Sequence, residues 1–124
     1  MQFPKGFLLG ASTAAHQVEG NNIHSDLWAQ EQMKNTNFAE PSLDAVDHYH
    51  RYEEDIRLLA EAGLNAYRFS IEWARIEPEE GRFDEAEIAH YRDVIRCCKA
   101  SRKCASMIMW ISISRCWSEC TING

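Results

Sequence analysis

The chain reads as an α/β protein, with a parallel sheet whose strands are joined by crossover helices. Two observations point there. Short apolar runs at residues 7–12, 64–71 and 107–113 have the length and composition of buried strands. Between them lie two segments, 42–63 and 84–98, whose apolar residues recur at steps of three and four, the spacing of a one-sided helix. Alternation of strand and helix argues for parallel pairing. An open α/β sheet and a (β/α)8 barrel share this pattern. A barrel takes about 250 residues, so this chain holds at most about three of its units.

The first strand is expected over Phe7, Leu8, Leu9, Gly10, Ala11 and Ser12, an apolar run closed by small residues. From His16 to Pro41 the sequence is polar and irregular, which predicts a long loop with one helical turn near Trp28 to Met33. Loops of that length in compact proteins are usually functional. The first long helix is expected to start at Ser42 as N-cap, with Asp44 in its first turn, and to end at Gly63. Tyr49, Tyr52, Ile56 and Leu59 form its apolar stripe. In the next strand Tyr67, Phe69 and Ile71 share one face, and Arg68 stands on the other between Ala66 and Ser70. Pro78 and Gly81 mark a turn. Asp84 with Glu87 forms a capping pair for a second helix, whose stripe is Ile88, Tyr91, Val94, Ile95 and Cys98.

Hydrophobic content of 45% and charged content of 26% are those of a globular chain. The net charge of −6 argues against nucleic acid or an anionic membrane as the main partner. No apolar run approaches the roughly 20 residues of a membrane span, and no secretory leader pattern opens the chain, so a cytoplasmic protein is expected. Composition breaks near residue 98. Of 19 acidic residues only Glu119 follows Arg96, and all five cysteines (Cys97, Cys98, Cys104, Cys116, Cys120) come after it. The expected division is therefore residues 1–98 as the folded part and 99–124 as a divergent, cysteine-rich tail.

Three blocks carry a more specific message. Phe7-Leu8-Leu9-Gly10-Ala11-Ser12 runs through Thr13-Ala14-Ala15-His16 into Gln17-Val18-Glu19-Gly20. Asp44-Ala45-Val46-Asp47-His48-Tyr49-His50-Arg51-Tyr52 follows, then Tyr67-Arg68-Phe69-Ser70-Ile71-Glu72-Trp73-Ala74-Arg75-Ile76 with Pro78 and Gly81. In order and spacing, from residue 3 to about 98, these blocks resemble glycoside hydrolase family 1, the β-glucosidase-like retaining β-glycosidases. The resemblance implies the first two to three βα units of a (β/α)8 TIM barrel. It also implies hydrolysis of β-linked glucosides or related glycosides and oligosaccharides by two glutamates, with no cofactor and no metal.

By this resemblance Gln17 binds the non-reducing sugar. Its amide offers a donor and an acceptor to neighbouring hydroxyls, and it follows a strand's C-terminal end, where barrel sites are built. The competing reading is an amide that merely caps the loop. Arg68 matches the arginine beside the family's nucleophilic glutamate, where it keeps that carboxylate ionised; the alternative is an ion pair inside the barrel with no catalytic part. Glu19 and Glu72 suggest an acid and a nucleophile about 5 Å apart, but neither matches a catalytic position. The two catalytic glutamates belong to a fourth and a seventh strand, absent here, so no residue of this chain is assigned as catalytic. Glu72 is expected to pair locally with Arg75. Trp28 and Trp73 are read as core residues rather than sugar platforms. His48 and His50 lack the spacing for two metal ligands on one helix face. The tail cysteines show no Cys-x-x-Cys pair, and their odd number argues against a disulfide framework.

After Ala100 the resemblance ends. Trp110, Cys116 and Trp117 stand where a histidine-containing sugar-binding segment would be, and the shift in composition predicts a frameshifted or disordered tail. Thr121, Ile122, Asn123 and Gly124 faintly resemble the nucleophile motif, with isoleucine in place of the reactive glutamate. This chain is therefore expected to be inactive, and a non-catalytic remnant or a carbohydrate-binding fragment is the alternative. Glycone and aglycone preference, phosphorylation of the sugar and oligomeric state are not written in these residues.

Overall fold

A computed structural model of the chain describes residues 3–101 and 106–112, the latter through their backbone. Three strands, β1 (Gly10–Ser12), β2 (Ala66–Glu72) and β3 (Ser106–Ser112), form one sheet in the order β1-β2-β3. Both pairings are parallel, with Gly10 opposite Ala66 and Ala66 opposite Ser106. Between β1 and β2 run α1 (Ala15–Val18), α2 (Asp26–Glu31) and α3 (His48–Glu61). Between β2 and β3 run α4 (Trp73–Ile76) and α5 (Glu85–Ala100). The expected alternation is present, and parallel strands joined through helices follow from it.

The core lies on one face of β2. Tyr67, Phe69 and Ile71 point to the same side and meet Ile56 of α3, Ile76 of α4, and Tyr91, Val94 and Cys98 of α5. The period of two along the strand and the three-to-four spacing along the helices meet here, as the apolar pattern requires. Arg68 is exposed on the opposite face. Among the described residues no helix is long and apolar enough to cross a membrane.

Three local expectations need correction. Phe7, Leu8 and Leu9 are exposed and precede the short β1 rather than forming a buried strand. Asn65 explains their path. Its side chain accepts from the Leu9 N–H at 2.7 Å and donates to the Phe7 carbonyl at 2.9 Å, while the Leu9 carbonyl accepts from the backbone N–H groups of Asn65 and Ala66 at 2.9 and 3.2 Å. At Gly10 the backbones come so close that a Cβ would overlap the Ala66 carbonyl oxygen, so only glycine fits.

The second concerns Ser42, which does not cap α3. Its N–H and hydroxyl both donate to Glu31 at 3.0 Å, and the helix starts six residues further on. Leu43, Ala45 and Asp47 adopt positive φ (45°, 49° and 55°), an alternation that turns the chain tightly before His48. The Tyr49 N–H, which a side-chain cap would otherwise serve, reaches the Glu19 carbonyl instead at 3.4 Å. The third is the expected capping pair. Asp84 does cap α5, accepting from Ala86 and Glu87 N–H, but Glu87 uses its carboxylate on the Tyr49 hydroxyl. Gly63 ends α3 at φ 86° as expected.

The helix α5 runs to Ala100 and β3 follows at residues 106–112, past the expected boundary at 98. Cys104, Cys116, Cys120 and residues 121–124 lie outside the described residues.

Candidate functional site

Gln17 sits on α1, a single turn that begins three residues after β1 ends. One turn of helix is not stable by itself, so its place depends on what holds it. The Thr13 N–H donates to the Arg68 carbonyl at 3.0 Å, and the Ala15 N–H donates to the buried Ser70 hydroxyl at 2.6 Å. Thr13 and Tyr67 share a hydroxyl–hydroxyl bond of 2.8 Å. The turn is thus laid across β2, at the C-terminal end of β1. Gln17 itself is exposed. Arg68 lies opposite Ser12 in the register, with Nη1 3.5 Å from the Ser12 hydroxyl oxygen. The structure therefore brings the two sequence-predicted residues to the same end of β1, with no direct bond between them among the described residues.

Behind Gln17 is a buried ionic cluster. Glu19 is 4% exposed. The Tyr91 hydroxyl donates to both of its carboxylate oxygens, at 2.9 and 3.1 Å, and Arg75 Nε lies 3.3 Å away. Arg75 also donates to the Asn22 side-chain oxygen at 2.7 Å and to the Gly20 carbonyl at 2.6 Å. Its guanidinium lies 4.2 Å over the Tyr49 ring, a cation–π contact. Burial raises the Glu19 carboxyl above its ordinary value, against the opposing pull of Arg75, Tyr91 and Asn22.

The expected Glu72–Arg75 pair is not found among the described residues; Arg75 is drawn to Glu19. Glu72 ends β2, is 1% exposed, and accepts from the Ala74 N–H as the cap of α4. Its own N–H donates to the Tyr91 hydroxyl oxygen at 3.1 Å. Burial pushes its carboxyl up to about 7, with the Glu19 charge adding to the effect. Burial also raises the Tyr91 hydroxyl, which faces the Glu19 carboxylate.

Three histidines, His16, His48 and His50, each meet a different carboxylate. His16 Nε2 lies 2.7 Å from Glu31, while its buried Nδ1 has no partner among the described residues. The tautomer with the proton on Nε2 leaves only a lone pair unsatisfied, which costs less than a buried unpaired N–H. His48 Nδ1 lies 2.6 Å from Asp55, and His50 Nδ1 lies 2.6 Å from Asp47. The two rings thus serve different carboxylates. Trp73 is half-buried against Phe83 and donates to Glu77 at 2.6 Å, so its indole is committed to local packing.

Sequence reasoning missed Tyr91 and Tyr49 as polar partners because both fall on apolar helical stripes. A signal was present: a tyrosine on a buried stripe must find a partner for its hydroxyl, and the acidic Glu19 and Glu87 were available.

Comparison with known proteins adds the following. The family model for glycosyl hydrolase family 1 matches residues 1–110. β-Glucosidase 6 of rice, Oryza sativa subsp. japonica, is 44% identical over 101 residues, covering 75% of this chain and 19% of that protein. The aryl-phospho-β-D-glucosidase BglC of Bacillus subtilis is 41% identical over 104 residues, covering 75% of this chain and 21% of that protein. The crystal structure of β-glycosidase BGL167 superposes with a TM-score of 0.83 at 53% identity, over 90% of this chain and 26% of that one. The chain thus spans about a fifth to a quarter of the length of these relatives, and its three strands and their helices are a part of a (β/α)8 barrel.

Proposed function

The chain belongs to glycosyl hydrolase family 1, and from that premise we propose that it forms the sugar-recognising first part of a retaining β-glycosidase. The observation that carries this reading is the placement of Gln17. It is exposed on a turn pinned to β2, just past the C-terminal end of a parallel strand, where barrel enzymes build their sites. An exposed amide on a fixed turn can present its donor and acceptor to two neighbouring sugar hydroxyls at little cost in side-chain order. Arg68, on the sheet face away from the helices, supplies the positive charge that would keep a nucleophilic carboxylate ionised.

Retaining hydrolysis needs an acid/base and a nucleophile about 5 Å apart, both able to touch the glycosidic bond. Glu19 and Glu72, at 4% and 1% exposure and bonded to Tyr91, Arg75 and Ala74, are closed off from any substrate. In our reading the two reacting carboxylates come from elsewhere in the barrel, and residues 1–124 alone recognise a sugar without cleaving it. The chemistry then needs no cofactor, since the carboxylates supply both the proton and the nucleophile.

An assay of the purified chain with an aryl β-glucoside tests this. Turnover above that of an inactive control preparation would overturn the assignment of Gln17 and Arg68 as support without chemistry. The BglC relative acts, by its name, on aryl-phospho-glucosides, which favours a second reading in which the sugar is phosphorylated. Binding measured in parallel with an aryl phospho-β-D-glucoside separates the two.

A further inference from the structure

We infer that Tyr91 and Arg75 are positioning residues for sugar recognition, acting through Glu19 to hold the Gln17 turn. This rests on the reading of Gln17 as a sugar ligand and deepens it.

The geometry is that of a clasp closed from three sides. Glu19 follows Gln17 by two residues and is the C-cap of α1, its N–H returning to the Ala15 carbonyl at 2.8 Å. Its carboxylate accepts from the Tyr91 hydroxyl of α5 and forms an ion pair with Arg75 of α4, Nε lying 3.3 Å away. Its carbonyl receives the Tyr49 N–H at the start of α3. Arg75 takes hold of the same turn at two further points, the Gly20 carbonyl and the Asn22 side chain. A planar guanidinium can donate to two acceptors in one plane while its charge faces the carboxylate; an ammonium on a flexible stem cannot hold that plane. Gly20 closes the turn at φ 84°, where a Cβ would overlap the Asp44 carbonyl.

The cluster also answers a question about cost. A buried carboxylate stabilises a fold less than a well-packed apolar side chain would, so core stability alone does not account for an ion pair here. A one-turn helix carrying an exposed amide does gain from it. The contacts converge on residues 19, 20 and 22, directly after Gln17, and fix the backbone from which the amide projects. Tyr91 additionally accepts the Glu72 N–H, so the turn, β2 and α5 share one hydroxyl.

The test uses the whole chain, labelled for NMR, with methyl β-D-glucoside as the probe. In Tyr91→Phe the ring stays and only the hydroxyl goes. The Gln17 side-chain amide signals are expected to move and broaden, and affinity for the glucoside to fall about fivefold, the worth of one net hydrogen bond. Arg75→Lys, which keeps the charge and loses the fork, gives a shift in the same signals should Tyr91→Phe fail to fold. Ile56→Val is the control: it loosens the core at α3 and should leave the Gln17 signals in place. Unmoved Gln17 signals in Tyr91→Phe, or an equal disturbance in Ile56→Val, overturn the positioning role. The reading of Gln17 as a ligand fails separately, if Gln17→Ala binds the glucoside as well as the parent or if the parent does not bind it. The amide signals decide the positioning role in either case.

Discussion

Burial and the nearby Glu19 charge hold the Glu72 carboxyl at about 7, against an ordinary 4.5. The folded chain therefore binds this proton more tightly than the unfolded chain. Its contribution to stability is full below about 4.5 and is lost as pH rises towards about 7. Glu72→Gln should flatten that decline and leave the variant more stable than the parent at pH 8, by up to about 1.4 kcal/mol per pH unit of the window. Urea melts at pH 5 and pH 8 check it; an equal loss of stability at both would sink the idea. Arg75 makes the opposite case. Arg75→Ala leaves Glu19 buried without its cation, and the expected cost is about 3 kcal/mol, read from the same melts. At this scale the sequence was only partly legible. The positions of Gln17 past a strand end and of Arg68 within an apolar strand were readable, while the roles proposed for them come from the family resemblance alone. The partner of Arg75 was not, since a carboxylate three residues away looks nearer than one in another block. Glu72 is fixed by its own duty as cap of α4, and that duty is set by the end of β2 rather than by sequence distance.

Among the elements, those with strong periodic patterns were readable and those shaped by a single side chain were not. The stripes Ile56–Leu59 and Tyr91–Val94–Cys98 met the core face of β2 as the period of the helix requires. The first strand was overestimated because Phe7, Leu8 and Leu9 are apolar, whereas the Asn65 amide takes the Leu9 N–H and the Phe7 carbonyl and leaves only the Leu9 carbonyl to backbone pairing. Ser42 looked like an N-cap by type, but a hydroxyl already donating to Glu31 from a segment of left-handed residues is not placed to accept from a helix. A pair of substitutions separates the two serviceable-looking caps. Asp84→Ala removes a side chain that accepts two N–H groups and should cost about 1 kcal/mol, with faster amide exchange at Ala86 and Glu87. Ser42→Ala should leave amide exchange through the first turn of α3 unchanged, while exchange at Ser42 itself rises. Protection lost throughout residues 49–51 in Ser42→Ala would show that the serine supports the helix start after all.

For the whole molecule, the question is whether these residues do in a complete barrel what their geometry prepares. The sheet buries one face of β2 against α3, α4 and α5 and leaves Arg68 on the other. In a closed barrel that second face lines the interior, where strand residues gather around the site. The barrel itself was legible only through the three ordered motifs, because three parallel strands with their helices satisfy an open sheet equally well. The superposition on β-glycosidase BGL167, at a TM-score of 0.83 over 90% of the chain, makes a direct experiment feasible. Residues 3–98 of this chain can replace the matching part of that protein. Because the matched parts are 53% identical and superpose closely, the hybrid is expected to fold and to hydrolyse an aryl β-glucoside. Within it, Gln17→Ala should lower kcat/KM at least about tenfold, through the loss of hydrogen bonds to the sugar that tighten in the transition state. Arg68→Met should lower kcat more than it raises KM and move the acidic limb of the pH–rate profile to higher pH, because a nucleophilic carboxylate without its cation takes up a proton more readily. A hybrid that folds, turns over substrate and is indifferent to both substitutions would show that this part of the chain supports the barrel without taking part in recognition.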